Sequence, residues 1–200
     1  MKRKYEQVYQ FRITLIGIEP PIWRRIQVPE IYTFWELHSA IQDVMGWEDY
    51  HLHEFEIKDP KTGEEVRIGI PHPDFAARRI RMVHERKAKI RRWFTEKNKR
   101  AVYVYDFGDN WRHEIILEGI FPREKGTKYP LCIAGERACP PEDCGGVSGY
   151  YELLEAIRNP LHPRHRELIE WLDEPYHPED FHPENVRFTN PETRWRRWNE

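Results

Sequence analysis

Between residues 9 and 28 apolar and polar side chains alternate in two runs separated by two prolines, and a period of two commits this part of the chain to paired strands. Tyr9, Phe11, Ile13 and Leu15 alternate with Gln10, Arg12 and Thr14. After Glu19-Pro20-Pro21, Ile22, Arg24, Ile26 and Val28 alternate with Trp23, Arg25 and Gln27. Two half-buried strands joined by a proline turn form a hairpin. The pattern recurs. His51 to Ile57 puts His51, His53, Phe55 and Ile57 on one face, Asp59 to Gly63 turns the chain, and Glu65 to Ile70 returns. Val102 to Tyr105, the turn Asp106 to Asn110, and the run Trp111 to Ile120 predict a further pair, with Trp111, His113, Ile115 and Leu117 on one face.

Helices interrupt the hairpins. Thr33 and Glu36 have capping-box spacing, Phe34, Leu37, Ile41 and Val44 form a helical stripe, and Gly46 is placed to end it. Residues 78–100 read as a basic amphipathic helix with Ile80, Val83, Ile90 and Phe94 on its apolar face. Residues 131–148 read as an irregular ordered loop. Helices are expected over 150–158 and 165–173. Hairpins broken by helices, without regular βαβ alternation, predict an α+β fold: a single domain over 1–200 with a mainly antiparallel sheet packed against several helices. The absent βαβ alternation argues against a doubly wound nucleotide-binding fold, and no glycine-rich phosphate loop stands at a strand–helix junction.

Hydrophobic residues make up 39% and aromatics 14% of the 200 residues, enough for a core. No apolar run reaches about 18 residues, so no membrane association is expected. Three cysteines and no apolar leader point to reduced thiols and a cytoplasmic protein. The net charge of −2 hides two blocks: 11 Lys/Arg against two Glu over 78–100, and 12 acidic against four basic residues over 136–184. Blocks of opposite sign suit a homodimer. The basic block, through Arg86, Lys87, Lys89, Arg91 and Arg92 with Trp93 and Phe94 among them, suits a phosphate backbone. The C-terminal tail 194–200 repeats that mixture.

Three segments gather the groups that carry chemistry. His51-Leu52-His53 offers two imidazoles. Asp106 to His113 brings Asp106, Asp109 and His113 around a turn. Cys139 to Gly146 adds Cys139, Glu142, Asp143 and Cys144. Asp106, Asp109, His113, Glu142 and Asp143 are the catalytic candidates, as acids, bases or ligands. His51, His53, His113, Cys139 and Cys144 are the metal candidates, and zinc or another divalent ion is the cofactor these atoms would take. Trp23, Arg24, His51, His53 and Trp111 are the ligand-binding candidates. Each has a structural alternative: histidines on apolar strand faces satisfy themselves in cores, aspartates shape turns, and Cys132 is a small buried hydrophobe. The cysteine gaps match no CxxC knuckle, and Ser39 and Ser148, the two serines, stand in no nucleophile elbow.

Together the segments resemble the Ri-plasmid open-reading-frame-three-like family, also met as passenger proteins of insertion elements. The resemblance rests on Pro20 to Arg25, Leu37-His38 with Gly46-Trp47 and His51 to Phe55, Tyr105 to His113, and Pro140 to Gly146 with Gly149-Tyr150. It runs from about residue 8 to 188. Its motif places fall on Trp23, Arg24, His38, Trp47, His51, His53, Asp106, Gly108, Asp109, Trp111, His113, Pro141, Glu142, Asp143, Gly145 and Gly146. The resemblance implies an α+β fold and a cytoplasmic prokaryotic protein associated with plasmids or mobile elements, but no established reaction. No complete catalytic set is visible, so a non-enzymatic binding module is preferred over a metal-assisted hydrolase built on His51, His53, Asp106, Asp109 and His113. A nucleic-acid accessory role is the third reading.

Overall fold

The alternating runs form the expected hairpin in a computed structural model that describes residues 4–71, 81–172 and 174–199. β1 (Gln7–Leu15) and β2 (Trp23–Pro29) pair antiparallel, with Phe11 opposite Ile26 and Ile13 opposite Arg24. Then come α1 (Phe34–Met45), β3 (His53–Lys58), β4 (Glu65–Gly69), β5 (Arg81–His84), β6 (Arg100–Tyr105), β7 (Trp111–Pro122) and β8 (Leu131–Glu136). After β8 follow α2 (Gly146–Arg158), α3 (His165–Trp171) and α4 (Pro191–Asn199). One eight-stranded sheet runs in the order β5-β4-β3-β6-β7-β1-β2-β8, antiparallel except where β4 meets β5. The α+β expectation is therefore met. No helix among the described residues is long and apolar enough to cross a membrane.

The two faces of the sheet differ as the alternation requires. Phe11, Ile13, Leu15, Ile26, Phe55, Tyr103 and Ile115 turn inward and pack with Phe34, Leu37 and Ile41 of α1. Phe34 meets Phe55 edge-on at 4.9 Å, and Phe11 meets Phe94 at 4.7 Å. Outward, polar side chains form ladders: Arg25 grips Glu118 with two bonds of 2.6 and 2.8 Å, and Arg112 donates to Glu56 at 2.6 Å.

Helix α1 starts where the spacing predicts. The Glu36 N–H donates to Thr33 Oγ1, the Glu36 carboxylate accepts the Thr33 N–H at 2.8 Å, and Gly46 ends the helix at φ 86°. Thr33→Ala should cost about 1 kcal/mol, because one orphan N–H of the first turn loses its partner. Urea midpoints of the two proteins measure this, and an unchanged midpoint would reject the cap.

Two expectations fail. Residues 81–100 do not form a basic helix; they form β5, a turn, a short 3-10 turn at Ile90–Arg92 and a tight loop bridging Thr95 and Asn98. Residues 78–80 lie outside the described residues. A single helix would place Val83, Ile90 and Phe94 on one face, but Glu85 and Trp93 must also be buried, and an irregular path buries all of them. Residues 131–136 are a strand, not loop. β8 is an edge strand with Cys132 opposite Ile26 and its outer side exposed, so its apolar period is weak in sequence.

Candidate functional site

The histidines of His51-Leu52-His53 do not share a site. His51 precedes β3 in an irregular segment, while His53 opens the strand, so their side chains part company. His51 Nε2 lies 2.9 Å from Asp143 and 3.7 Å from Asp106. His53 Nε2 lies 2.6 Å from Glu85, a residue that pattern alone did not single out. His113 joins neither; it is fully buried between Tyr103 and Trp47, with ring centroids 5.3 Å away in each case. The single metal centre of the hydrolase alternative, built on His51, His53, Asp106, Asp109 and His113, therefore does not assemble.

The outer cluster, His51, Asp106 and Asp143, brings three ligand atoms within 4.8 Å of one another and is open to solvent, with His51 30% and Asp143 62% exposed along their side chains. Turn chemistry builds it. Asp106 (φ 53°), Asn110 (φ 55°) and Asp143 (φ 58°) hold left-handed backbone conformations, which cost energy for non-glycine residues and collect at sites that need a fixed geometry. Asp106 accepts the Gly108 N–H at 2.8 Å, and Asp109 accepts the Gly145 N–H at 3.1 Å, so the β6–β7 turn is tied to the loop before α2. A side chain at Gly146 would sit 2.6 Å from the Asp109 carbonyl oxygen, so only glycine allows the two segments this close. Beside the cluster Tyr105 donates its hydroxyl to Glu142 and accepts the Tyr50 N–H at 3.0 Å. Burial and the Glu142 carboxylate raise the Tyr105 phenol well above its ordinary value. Tyr50 (70% exposed) and Leu52, the chain neighbours of His51, and Phe107, the chain neighbour of Asp106, are exposed large hydrophobic residues.

The inner cluster is buried. His38 of α1 and His53 stack face to face at 3.4 Å, parallel within 3°. His38 Nδ1 shares a hydrogen bond of 2.8 Å with the Tyr103 hydroxyl, which also accepts from Gln42. His38 Nε2 lies 3.0 Å from Asp49. Burial, with help from His53, lowers His38 to about 4. Burial works against the carboxylates of Asp49 and Glu85, yet His38 beside the first and His53 beside the second hold both below the ordinary range. The ligand atoms of His38, Asp49 and His53 also fall within 4.8 Å of one another. An imidazole lone pair lies in the ring plane, so two rings stacked at 3.4 Å cannot both direct one at the same ion unless they fan apart. The inner cluster is thus a polar network inside the core.

The remaining candidates are placed as follows. Cys139 and Cys144 belong to neither cluster. Burial raises both thiols, Cys144 to about 12, which disfavours the thiolate that a nucleophile needs. Arg24 is 1% exposed and bonds three backbone carbonyls; Trp111 is a core residue at 1%. Trp23 lies under Arg12 and Arg25. Of the basic candidates, Arg86 grips Glu192 with bonds of 2.7 and 2.8 Å, and Arg91 lies 3.8 Å from Glu30. Arg81 and Arg100 pair with Asp59 and Glu114. These acids all lie outside 136–184, so the basic block does not pair with the acidic block through them. Lys87, Lys89 and Arg92 have no ion pair among the described residues.

A protein-family model described as plasmid pRiA4b ORF-3-like protein matches residues 7–185. The chain belongs to that family. One relative is the uncharacterized protein y4hQ of Sinorhizobium fredii, 36% identical over 169 residues, 82% of this chain and 80% of y4hQ. The crystal structure of MM3350, a protein of unknown function from Methanosarcina mazei Go1, is 50% identical and superposes with a TM-score of 0.86, covering 92% of this chain and 100% of that one. In this member of the pRiA4b ORF-3-like family, the matched span contains both clusters and stops short of α4. His38, Asp49, Glu85 and Tyr103 are the residues that sequence reasoning missed as a site. His38 was visible only as a family motif place. Glu85 was obscured by the cations around it.

Proposed function

We propose that the protein is a non-enzymatic binding module whose outer cluster receives a positively charged group of a partner. The observation that supports this reading is the convergence of Asp106, Asp143 and His51 at an open point, with the exposed residues Tyr50 and Leu52 next to His51 in the chain and Phe107 next to Asp106. Carboxylates held in fixed turns attract a guanidinium or ammonium group. Exposed aromatics beside them accept its alkyl stem or its flat cationic face. Amide NMR of the intact protein, titrated with the blocked tripeptides acetyl-Gly-Arg-Gly-amide and acetyl-Gly-Glu-Gly-amide, tests it. The arginine peptide should shift Leu52, Phe107 and Gly108 at millimolar concentration, the glutamate peptide should not, and Asp106→Asn with Asp143→Asn should abolish the shifts. Equal shifts with both peptides, or none, would refute the reading.

A metal-assisted hydrolase is the second reading, and one observation favours it: two carboxylates and an imidazole within 4.8 Å with solvent access can hold a divalent ion and leave a position open for water. Stoichiometric Mn2+ broadening centred on Asp106 and Asp143, with hydrolysis of an activated ester, would favour it over the binding module.

A further inference from the structure

Helix α4 sits on the fold in the manner of a bound ligand. Pro191, Arg194, Trp195 and Trp198 follow the i, i+3, i+4, i+7 spacing of one helical face and are its half-buried residues, while Glu192, Thr193, Arg196 and Arg197 are exposed. The groove beneath has matching chemistry. The Arg194 guanidinium lies 2.6 Å from Asp43 and 3.4 Å from Asp49. Trp195 meets Trp35 edge-on at 4.9 Å, and the Trp35 indole donates to the Pro191 carbonyl at 2.8 Å. Trp198 donates to Asp49 at 2.8 Å, and Arg86 covers the Trp195 ring while gripping Glu192. The sheet, the core and helices α1 to α3 are complete before this helix begins. The connection over residues 186–190 has no regular structure.

We propose that this groove, formed by Trp35, Asp43 and Asp49 and rimmed by Arg86, is a docking site for an amphipathic helix bearing an Arg-Trp-x-x-Trp face, and that α4 is its intramolecular occupant. Three features separate this contact from ordinary core packing. Its anchors are arginine and tryptophan, the residue types that dominate interface energetics, with no aliphatic residue among them. Its groove keeps two buried carboxylates, Asp43 5% and Asp49 2% exposed along the side chain, whose cationic partner comes from α4. Its spacing is that of helix-in-groove recognition. A partner helix with the same face would meet the same carboxylates and the same indole, after displacing a tethered competitor whose effective concentration is high. The inference is independent of the outer cluster, because the α4 contacts it rests on involve Trp35, Asp43, Asp49 and Arg86.

The test uses the full chain with Arg194→Ala, Trp195→Ala and Trp198→Ala, and a fluorescein-labelled peptide of residues 189–200 as probe. Fluorescence anisotropy should show saturable binding to this triple variant, at least about tenfold tighter than to the unaltered chain, whose groove is occupied. Adding Asp49→Asn, or giving the peptide Arg194→Ala, should remove that gain. A folded triple variant that does not bind the peptide overturns the proposal. So does equal binding by the unaltered chain, which places the peptide elsewhere. A triple variant that no longer folds, by amide NMR, also overturns it, because α4 would then be part of the fold's core and no exchangeable occupant.

Discussion

Arg24→Ala is expected to destabilise the protein by about 3–5 kcal/mol, several times the effect of losing the α1 cap. The guanidinium is 1% exposed and donates to the carbonyls of Val44 at 2.8 Å, Trp23 at 2.9 Å and Glu136 at 2.8 Å, while its plane lies 3.6 Å over the Phe181 ring. One side chain therefore joins the end of α1, the neighbouring strands β2 and β8 at one side of the sheet, and the segment that carries Phe181. Alanine leaves three carbonyls without this donor and opens a void the length of the arginine stem. Arg24→Lys keeps the charge but cannot present a flat fork to three acceptors, so it should recover only part of the loss. Equilibrium urea unfolding at pH 7.5 gives the difference. A loss under about 1 kcal/mol would show that water replaces the guanidinium without penalty.

Acidification is the second large expected effect. His113 is fully buried, and burial, reinforced by the charge of Arg24, lowers it to about 3 against the opposing pull of the Tyr103 and Trp111 carbonyls. An unfolded histidine takes its proton at about 6.5. Below that pH the unfolded chain binds a proton that the folded chain refuses. The stabilisation is therefore complete above pH 6.5 and is lost as pH falls toward 3. His38, lowered to about 4, acts in the same direction. Together the two should remove about 5 kcal/mol between pH 7.5 and pH 4.5, at about 1.4 kcal/mol per pH unit for each ring. Asp49 and Glu85, held below the ordinary carboxylate range, add to the loss only at still lower pH. Urea midpoints measured across this range should fall steadily below pH 6.5. A midpoint that is flat or rising down to pH 4.5 would be incompatible with neutral buried rings.

Arg24 also shows how far pattern reading reaches. The alternation puts it on the same strand face as Ile22, Ile26 and Val28, and that face is the buried one. An arginine on an apolar face must find acceptors, and this much was legible. Which acceptors was not, because Val44 and Glu136 lie 20 and 112 residues away along the chain. The same division holds for the histidines. The period of two put His51 and His53 on one face, but the strand begins only at His53. That boundary sends one imidazole to the surface with Asp143 and the other into the core with Glu85.

By itself the sequence determined strands β1 to β4, β6 and β7, the capped helix α1, the α+β class and the family, because each rests on local period, capping chemistry or ordered motifs; β5 and β8 it did not. It also marked Asp106, Asp143 and His51 as groups of one chemical kind. Tertiary structure alone decided that these three meet while His113, Cys139 and Cys144 stand apart. It alone decided that the basic segment abandons helix to bury Glu85, Ala88, Ile90 and Phe94, and that the arginines and tryptophans of the tail fold back on Asp43, Asp49 and Trp35. The physical reason is common to all of these. Local patterns record which face of an element is apolar, but a buried charge takes its partner from wherever the packed chain brings one, and that distance is not written in the spacing of residues.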